Sequence, residues 1–190
     1  MSSHHIVREN QEPALFIANP ECLAQEYLDQ LLEWSPTIIT LSEHYELLRS
    51  LEIKIDVVFD SQGLQTAEIE ENLTLLPYSG SYLNPLFEYL GEKKNFAINI
   101  ITPDINILDY EGYLDDFTIT FLGGDRKSML VKKYEKWLPK GYSLIIDHYT
   151  GNEQGLTNLN LVSQNCYKVV QDGFISIAQQ ANYLLISEEL

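Results

Sequence analysis

Three short apolar runs constrain this chain most: Ala14–Ala18 (ALFIA), Thr37–Leu41 (TIITL) and Ile55–Phe59 (IDVVF). Each is continuous rather than alternating, the pattern of a strand buried on both faces. Between the first two, Leu23, Tyr27, Leu28, Leu31 and Leu32 recur at helical spacing over Cys22–Trp34, and Ser35-Pro36 stops that helix. Between the second and third, Ser42 is placed to cap a helix that contains Glu46 and runs to about Leu51. Strand, helix, strand, helix, strand in so short a span predicts parallel βαβ units with right-handed crossovers. The third run lies in LEIKIDVVFDS and ends in Asp60 and Ser61, with Gly63 just beyond. A buried strand therefore delivers an acidic side chain to the carboxyl edge of a sheet, where ligands bind in such folds.

Further along, Leu64–Leu75 suggests a short helix, Leu73–Pro77 a short strand, and Ser81–Leu90 a helix with Pro85 in its first turn. Phe96–Ile101 (FAINII) is a further strand, and Pro103–Asp116 reads as acidic and irregular. From Phe117 the pattern changes. Phe117–Phe121 and Ser128–Lys132 flank Gly123-Gly124-Asp125, a hairpin signal, and Asp172-Gly173 reads as a second hairpin turn. Gly141–Asp147, Cys166–Val170, Phe174–Ile177 and Tyr183–Ile186 continue at hairpin spacing. The expected fold is an α/β N-terminal domain over residues 1–116 with a mainly parallel, Rossmann-like sheet. A smaller antiparallel β-sandwich-like domain over residues 117–190 follows it.

A chain of 190 residues buries roughly 70% of its unfolded surface, so neither disulfides nor metal are needed for stability. Its net charge of −16 repels phosphate backbones and anionic lipid, which argues against nucleic-acid and membrane partners. No apolar run reaches the length of about 18 residues that a membrane span requires. Cys22 and Cys166 stand in no metal spacing, and the polar start MSSHHIVREN lacks an apolar signal core, so a reducing cytoplasmic setting is expected.

Catalytic signatures are sparse. No phosphate-binding glycine loop, nucleophile elbow or zinc-binding helix motif occurs. Gly123-Gly124 reads as a turn rather than a phosphate cradle, His44 as a capping or solvated residue, and Asp147-His148-Tyr149 as a strand-end turn. Asp104, Asp109, Asp115 and Asp116 are numerous enough to bind a hard cation, but in so acidic a chain a solvated loop is the favoured reading. Trp34 and Trp137 are expected to pack in a core or at an interface.

The segments SSHHIVRENQEPALFIAN, LLEWSP, IKIDVV and YEKWLPKG, with DGFISI and the terminal LLISEEL, resemble in the same order a bacterial branch of the thiamine pyrophosphokinase family. The resemblance implies that His4-His5 is native sequence and that the protein is a homodimer. It also implies the same pair of domains, an α/β one followed by an antiparallel β one. Active members of that family transfer a pyrophosphoryl group from ATP to the thiamine hydroxyl, with Mg²⁺ held by aspartates.

This sequence departs from the family at the positions that would do the chemistry. Ser42-Glu43 replaces Asp-Gly after the second strand, and Asp60-Ser61-Gln62-Gly63 replaces Gly-Asp-Phe-Asp after the third. A one-residue shift keeps Asp60 as one metal ligand but not the pair. Ser81-Tyr82-Leu83-Asn84-Pro85 replaces Thr-Asp-Leu-Glu-Lys, losing both carboxylates and the lysine. In Ile105–Tyr110, which replaces Gly-x-Arg-x-Asp-His, only Asp109 survives. Ser163-Gln164-Asn165 is the nearest match to the Ser-Ser-Asn associated with thiamine, which with Trp137 leaves a possible thiamine-end remnant. Framework residues such as Trp34, Pro36, Asp56 and Trp137 are kept.

A guanidinium that clamps phosphate has no substitute in Ile, and Mg²⁺ needs carboxylate charge beside the phosphates. The expectation is a non-catalytic, pseudoenzyme-like binding, regulatory or interaction protein that uses no cofactor. The alternative is an active, diverged enzyme that uses Mg²⁺ and ATP, in which Asp56, Asp60, Asp104 and Asp109 re-form a metal site with Asp60 and Asp109 as its ligands. A third reading keeps a thiamine-binding module around Trp137, Ser163 and Asn165.

Overall fold

The computed structural model describes residues 12–64, 72–151 and 153–190. The readings placed on His4-His5 and on most of Leu64–Leu75 lie outside these residues. The three apolar runs form parallel strands β1 (Ala14–Ile17), β2 (Ile38–Leu41) and β3 (Val57–Asp60), each buried along its whole length. Between them lie helices α1 (Gln25–Leu32) and α2 (Tyr45–Ser50). Strand β4 (Thr74–Pro77) adds parallel to β3, and helix α3 (Leu83–Glu92) leads to β5 (Ala97–Ile101), which returns to pair with β1.

Alternation along the strands produces two cores. Phe16, Ile39, Leu41, Val57 and Phe59 face Leu86, Phe87 and Leu90 of α3, while Leu15, Ile17, Ile38 and Val58 face Leu28 of α1 and Tyr45 and Leu48 of α2. Helices thus cover both faces of the parallel sheet, which is why its strands read as continuous apolar runs.

The parallel ladder extends one strand past β5, to β6 (Thr118–Gly123). A tight turn at Gly124 (φ 62°) then sends β7 (Arg126–Val131) back antiparallel, as the Gly-Gly-Asp signal predicts. Strands β8 (Tyr134–Leu138), β9 (Ser143–Asp147), β10 (Leu156–Thr157), β11 (Leu159–Ser163), β12 (Cys166–Val169), β13 (Gly173–Ile177) and β14 (Leu184–Glu189) complete the chain. One eleven-stranded mixed sheet runs β11-β12-β9-β14-β7-β6-β5-β1-β2-β3-β4, and a three-stranded antiparallel sheet runs β10-β13-β8. The small sheet packs Tyr134, Leu138, Ile175 and Ile177 onto Leu144, Ile146, Tyr167, Val169, Leu184 and Ile186 of the large one, a third core with sandwich geometry.

Several expectations need correction. Asp172-Gly173 is not a hairpin turn: β12 belongs to the large sheet and β13 to the small one, so the chain crosses between layers there. Asp172 instead accepts a hydrogen bond from the Lys140 backbone N–H, tying the crossing to the β8–β9 connection. Residues 103–116 are not wholly irregular, since α4 (Ile107–Tyr110) forms and buries Ile107 and Tyr110. The first helix is shorter than its apolar spacing suggests, with a 3-10 turn at Pro20–Cys22 before it. Neither tryptophan lies in a core; Trp34 is 69% and Trp137 53% exposed.

Candidate functional site

Strand order reverses at β1: β2, β3 and β4 lie to one side of it, and β5 and β6 to the other. Such a reversal opens a crevice at the carboxyl ends of the strands. In this chain the crevice floor is closed by backbone. The N–H groups of Ala18 and Asn19 both donate to the Ile101 carbonyl, at 3.0 and 3.1 Å, and the Thr40 hydroxyl donates to the Ile17 carbonyl at 2.9 Å.

Asp60 sits at the carboxyl end of β3, as the sequence predicts, but its side chain turns back on its own loop. One carboxylate oxygen accepts the N–H groups of Gln62 (2.9 Å) and Gly63 (3.0 Å), and the other accepts Leu64 N–H (2.8 Å). Burial pushes the carboxyl up, since only 7% of the residue is exposed; the three amide donors and the Ser42 hydroxyl together outweigh this and hold it below the usual carboxylate range. Ser42 does not cap α2. It opens a 3-10 turn at Ser42–His44, and its hydroxyl oxygen accepts Ser61 N–H at 3.4 Å. Ser42, Asp60 and Ser61 are therefore neighbours, joined as a self-contained polar knot that folds the chain after β3.

Tyr82, at the start of α3, stands where the family resemblance leads one to look for a carboxylate. Its ring packs on Phe16 at 5.1 Å between centroids and meets Tyr78 edge-on at 6.4 Å, while Tyr78 in turn meets Phe59 at 6.4 Å. Tyr82 and Tyr110 line one hollow, and burial pushes both phenols up, reinforced by the Asp109 charge. An aromatic cluster thus covers the ends of β1, β3 and β4. That a tyrosine stands at this position is visible in the sequence; the aromatic packing around it is not.

Beside it lies a hollow of about 330 Å³ lined by Ser81, Tyr82, Thr102, Asp104, Asn106, Asp109 and Tyr110, with Leu83. Asp104 and Asp109 come together here. Asp60 is not part of this lining, and no lysine, arginine or histidine is. Among the described residues no group of three or more His, Cys, Asp or Glu side chains is gathered as a metal ion would need. Asp56 is a framework residue, as expected: its carboxylate accepts Ile38 N–H at 2.8 Å and ties the amino ends of β2 and β3.

The remaining predicted residues lie in the β layers. Trp137 is on β8, cross-strand from Phe174 on β13, and both side chains are largely in solvent. Ser163 ends β11, and Asn165, in the turn to β12, donates its amide to the Asp147 carboxylate. The β8–β9 connection meets the Val169 end of β12, through Gly141 N–H to the Val169 carbonyl, whereas Ser163 and Asn165 adjoin its Cys166 end. His44 contacts Glu43 at 3.4 Å, and His148 occupies a left-handed turn (φ 65°) after β9, as expected of a strand end.

No family model matches this sequence, and no curated protein matches it. Solved structures do. A thiamine pyrophosphokinase from Bacillus subtilis superposes with a TM-score of 0.55 at 12% identity, covering 94% of this chain and 99% of the other. A protein from Lactobacillus plantarum gives 0.65 at 9% identity, covering 93% and 97%. A thiamin pyrophosphokinase from Candida albicans gives 0.60 at 11%, covering 94% and 89%. The chain has the thiamine pyrophosphokinase fold over 93–94% of its length, and at such low identity the likeness speaks for fold alone.

Proposed function

We propose that this chain is a non-catalytic protein on the thiamine pyrophosphokinase fold, acting by binding or interaction rather than by pyrophosphoryl transfer. The observation that carries this reading is the coordination of Asp60. A metal-binding carboxylate must offer free lone pairs to the cation. Those of Asp60 are committed to three backbone N–H groups at 2.8–3.0 Å. The donor set around the crevice does not fit Mg²⁺ and ATP. Asp104 and Asp109 face the hollow without a third acidic partner, and no cationic side chain in its lining would meet a phosphate.

One observation favours the rival, active reading: Asp104 and Asp109 do share a hollow. Calorimetry with Mg²⁺-ATP separates the two. The proposal expects no heat of binding at millimolar nucleotide. A saturable heat that Asp109→Asn abolishes would establish the enzyme reading in its place.

We further propose that the protein is a cytoplasmic homodimer joined through its β layers. The exposed Trp137–Phe174 pair supports this, because large aromatics left in water are typical of an interface. The two free cysteines accord with a reducing compartment. Light scattering on Trp137→Lys tests the dimer: the variant is expected to be monomeric where the wild type is not. Thiamine remains a candidate ligand of the turn holding Ser163 and Asn165. A melting curve unmoved by millimolar thiamine would remove it.

A further inference from the structure

A second groove lies at the opposite edge of the sheet from the crevice. It encloses about 810 Å³, within the range of small-molecule sites, and is walled by the loops that enter β1, β2, β3 and β5. We propose that this groove binds a small aliphatic dication, of the diamine or polyamine class. The proposal is independent of whether the crevice is catalytic.

Charge is the first argument. Glu12, Asp29, Glu52 and Asp56 line the groove against Lys54 and Lys93 only, a surplus of two negative charges. Helix α1 ends on its wall at Leu32, and Lys93, the residue that follows α3, also lines it, so the negative ends of two helix dipoles add to the same field. A ligand with two ammonium groups balances that surplus, whereas an anion is excluded.

Shape and surface are the second argument. Trp34 lines the groove with 69% of its surface in water, and Leu51 beside it is 45% exposed. An indole and an isobutyl side chain in the same wall as the Asp29 and Glu52 carboxylates are matched by the methylene stem of an alkyl diamine, not by a hydrated metal ion. The groove already holds one contact of this kind, the Lys93 ammonium over the Tyr89 ring at 5.7 Å. Glu52 keeps a carboxylate here in the left-handed region (φ 60°), at a helix-end position where glycine is the less strained residue.

The two tryptophans make the test specific, because Trp137 stands in solvent on β8, outside the groove. In a ¹H–¹⁵N spectrum of the full chain, each indole N–H gives one signal, assigned with Trp34→Phe. The probes are 1,4-diaminobutane, spermidine and, as the single-charge control, 1-aminobutane, all at matched ionic strength. The Trp34 signal is expected to move saturably with the diamine and spermidine and little with the monoamine, while the Trp137 signal stays. The pair Glu52→Gln and Asp29→Asn, both exposed carboxylates, should weaken the apparent affinity about fivefold or more, and Glu135→Gln beside Trp137 should leave it unchanged. The proposal is overturned if neither indole signal moves up to about 10 mM probe, or if both move together. It is equally overturned if Glu135→Gln weakens binding as much as the groove pair does.

Discussion

Replacing Asp60 by Ala separates a structural aspartate from a catalytic one. In the folded chain its carboxylate takes three backbone N–H groups at 2.8, 2.9 and 3.0 Å. A hydrogen bond to a charged acceptor contributes about 1.5 kcal/mol at the low end, so three give about 4–5 kcal/mol. Ser61, Gln62 and Gly63 are exposed, so water takes over part of that role in the variant. About 3 kcal/mol of destabilisation remains, which for a chain of this length lowers Tm by roughly 6–12 °C. Asp60→Asn keeps one carbonyl acceptor and should lose about half as much.

The pH dependence follows the same carboxyl. Its folded pKa lies below the ordinary 3.8. The stabilisation is therefore complete above that value and is lost as pH falls through the lower, folded one. The assay is urea unfolding followed by circular dichroism, for wild type and both variants, at pH 7 and at pH 3. The gap between wild type and Asp60→Ala should narrow at the lower pH. A free, metal-seeking carboxylate at the crevice edge would instead be a source of repulsion, and its removal would stabilise the protein. A Tm that rises in Asp60→Ala would refute the reasoning.

Three further outcomes are expected. The Tyr45 hydroxyl is buried without a partner, so Tyr45→Phe should stabilise the fold by about 1 kcal/mol in urea unfolding, and a loss of stability would point to a missed partner. A Cβ at Gly123 would meet the Thr102 carbonyl oxygen at 2.4 Å, so Gly123→Ala should destabilise by about 2 kcal/mol, as seen in its melting curve. Burial raises Tyr82, Tyr110 and Tyr134 above the ordinary phenol value of 10, so stability should be intact below that value and fall as pH rises past it; absorbance at 295 nm and circular dichroism should change together.

The parallel half of the fold was legible because Leu15, Ile17, Ile39, Val57 and Val58 are buried on both faces, leaving unbroken apolar runs in the sequence. The β half was less so. Strand β8 carries Glu135 and Trp137 toward solvent, and on its other face Lys136, paired with Glu188, stands between Tyr134 and Leu138, so its apolar signal is thin. Strand β11 is an edge strand exposed from Asn160 to Ser163, so its Leu-Asn-Leu-Val-Ser run has no buried face to mark it. Asp172-Gly173 has hairpin chemistry, but turn chemistry does not say in which sheet the next strand will lie.

At the crevice, the departures at Ser61 and Tyr82 from the pattern the family resemblance implies could be read directly from the sequence. The fate of Asp60 could not. Whether a carboxylate at a strand end faces a ligand or its own loop depends on the backbone of Gln62, Gly63 and Leu64, which no residue type announces.

The central claim is that this fold no longer performs pyrophosphoryl transfer. The direct measurement is product analysis after prolonged incubation of the purified protein with Mg²⁺, ATP and thiamine. AMP and thiamine diphosphate at the level of the protein-free blank are predicted. Formation of the two products together, above that blank and in equal amounts, would contradict the account.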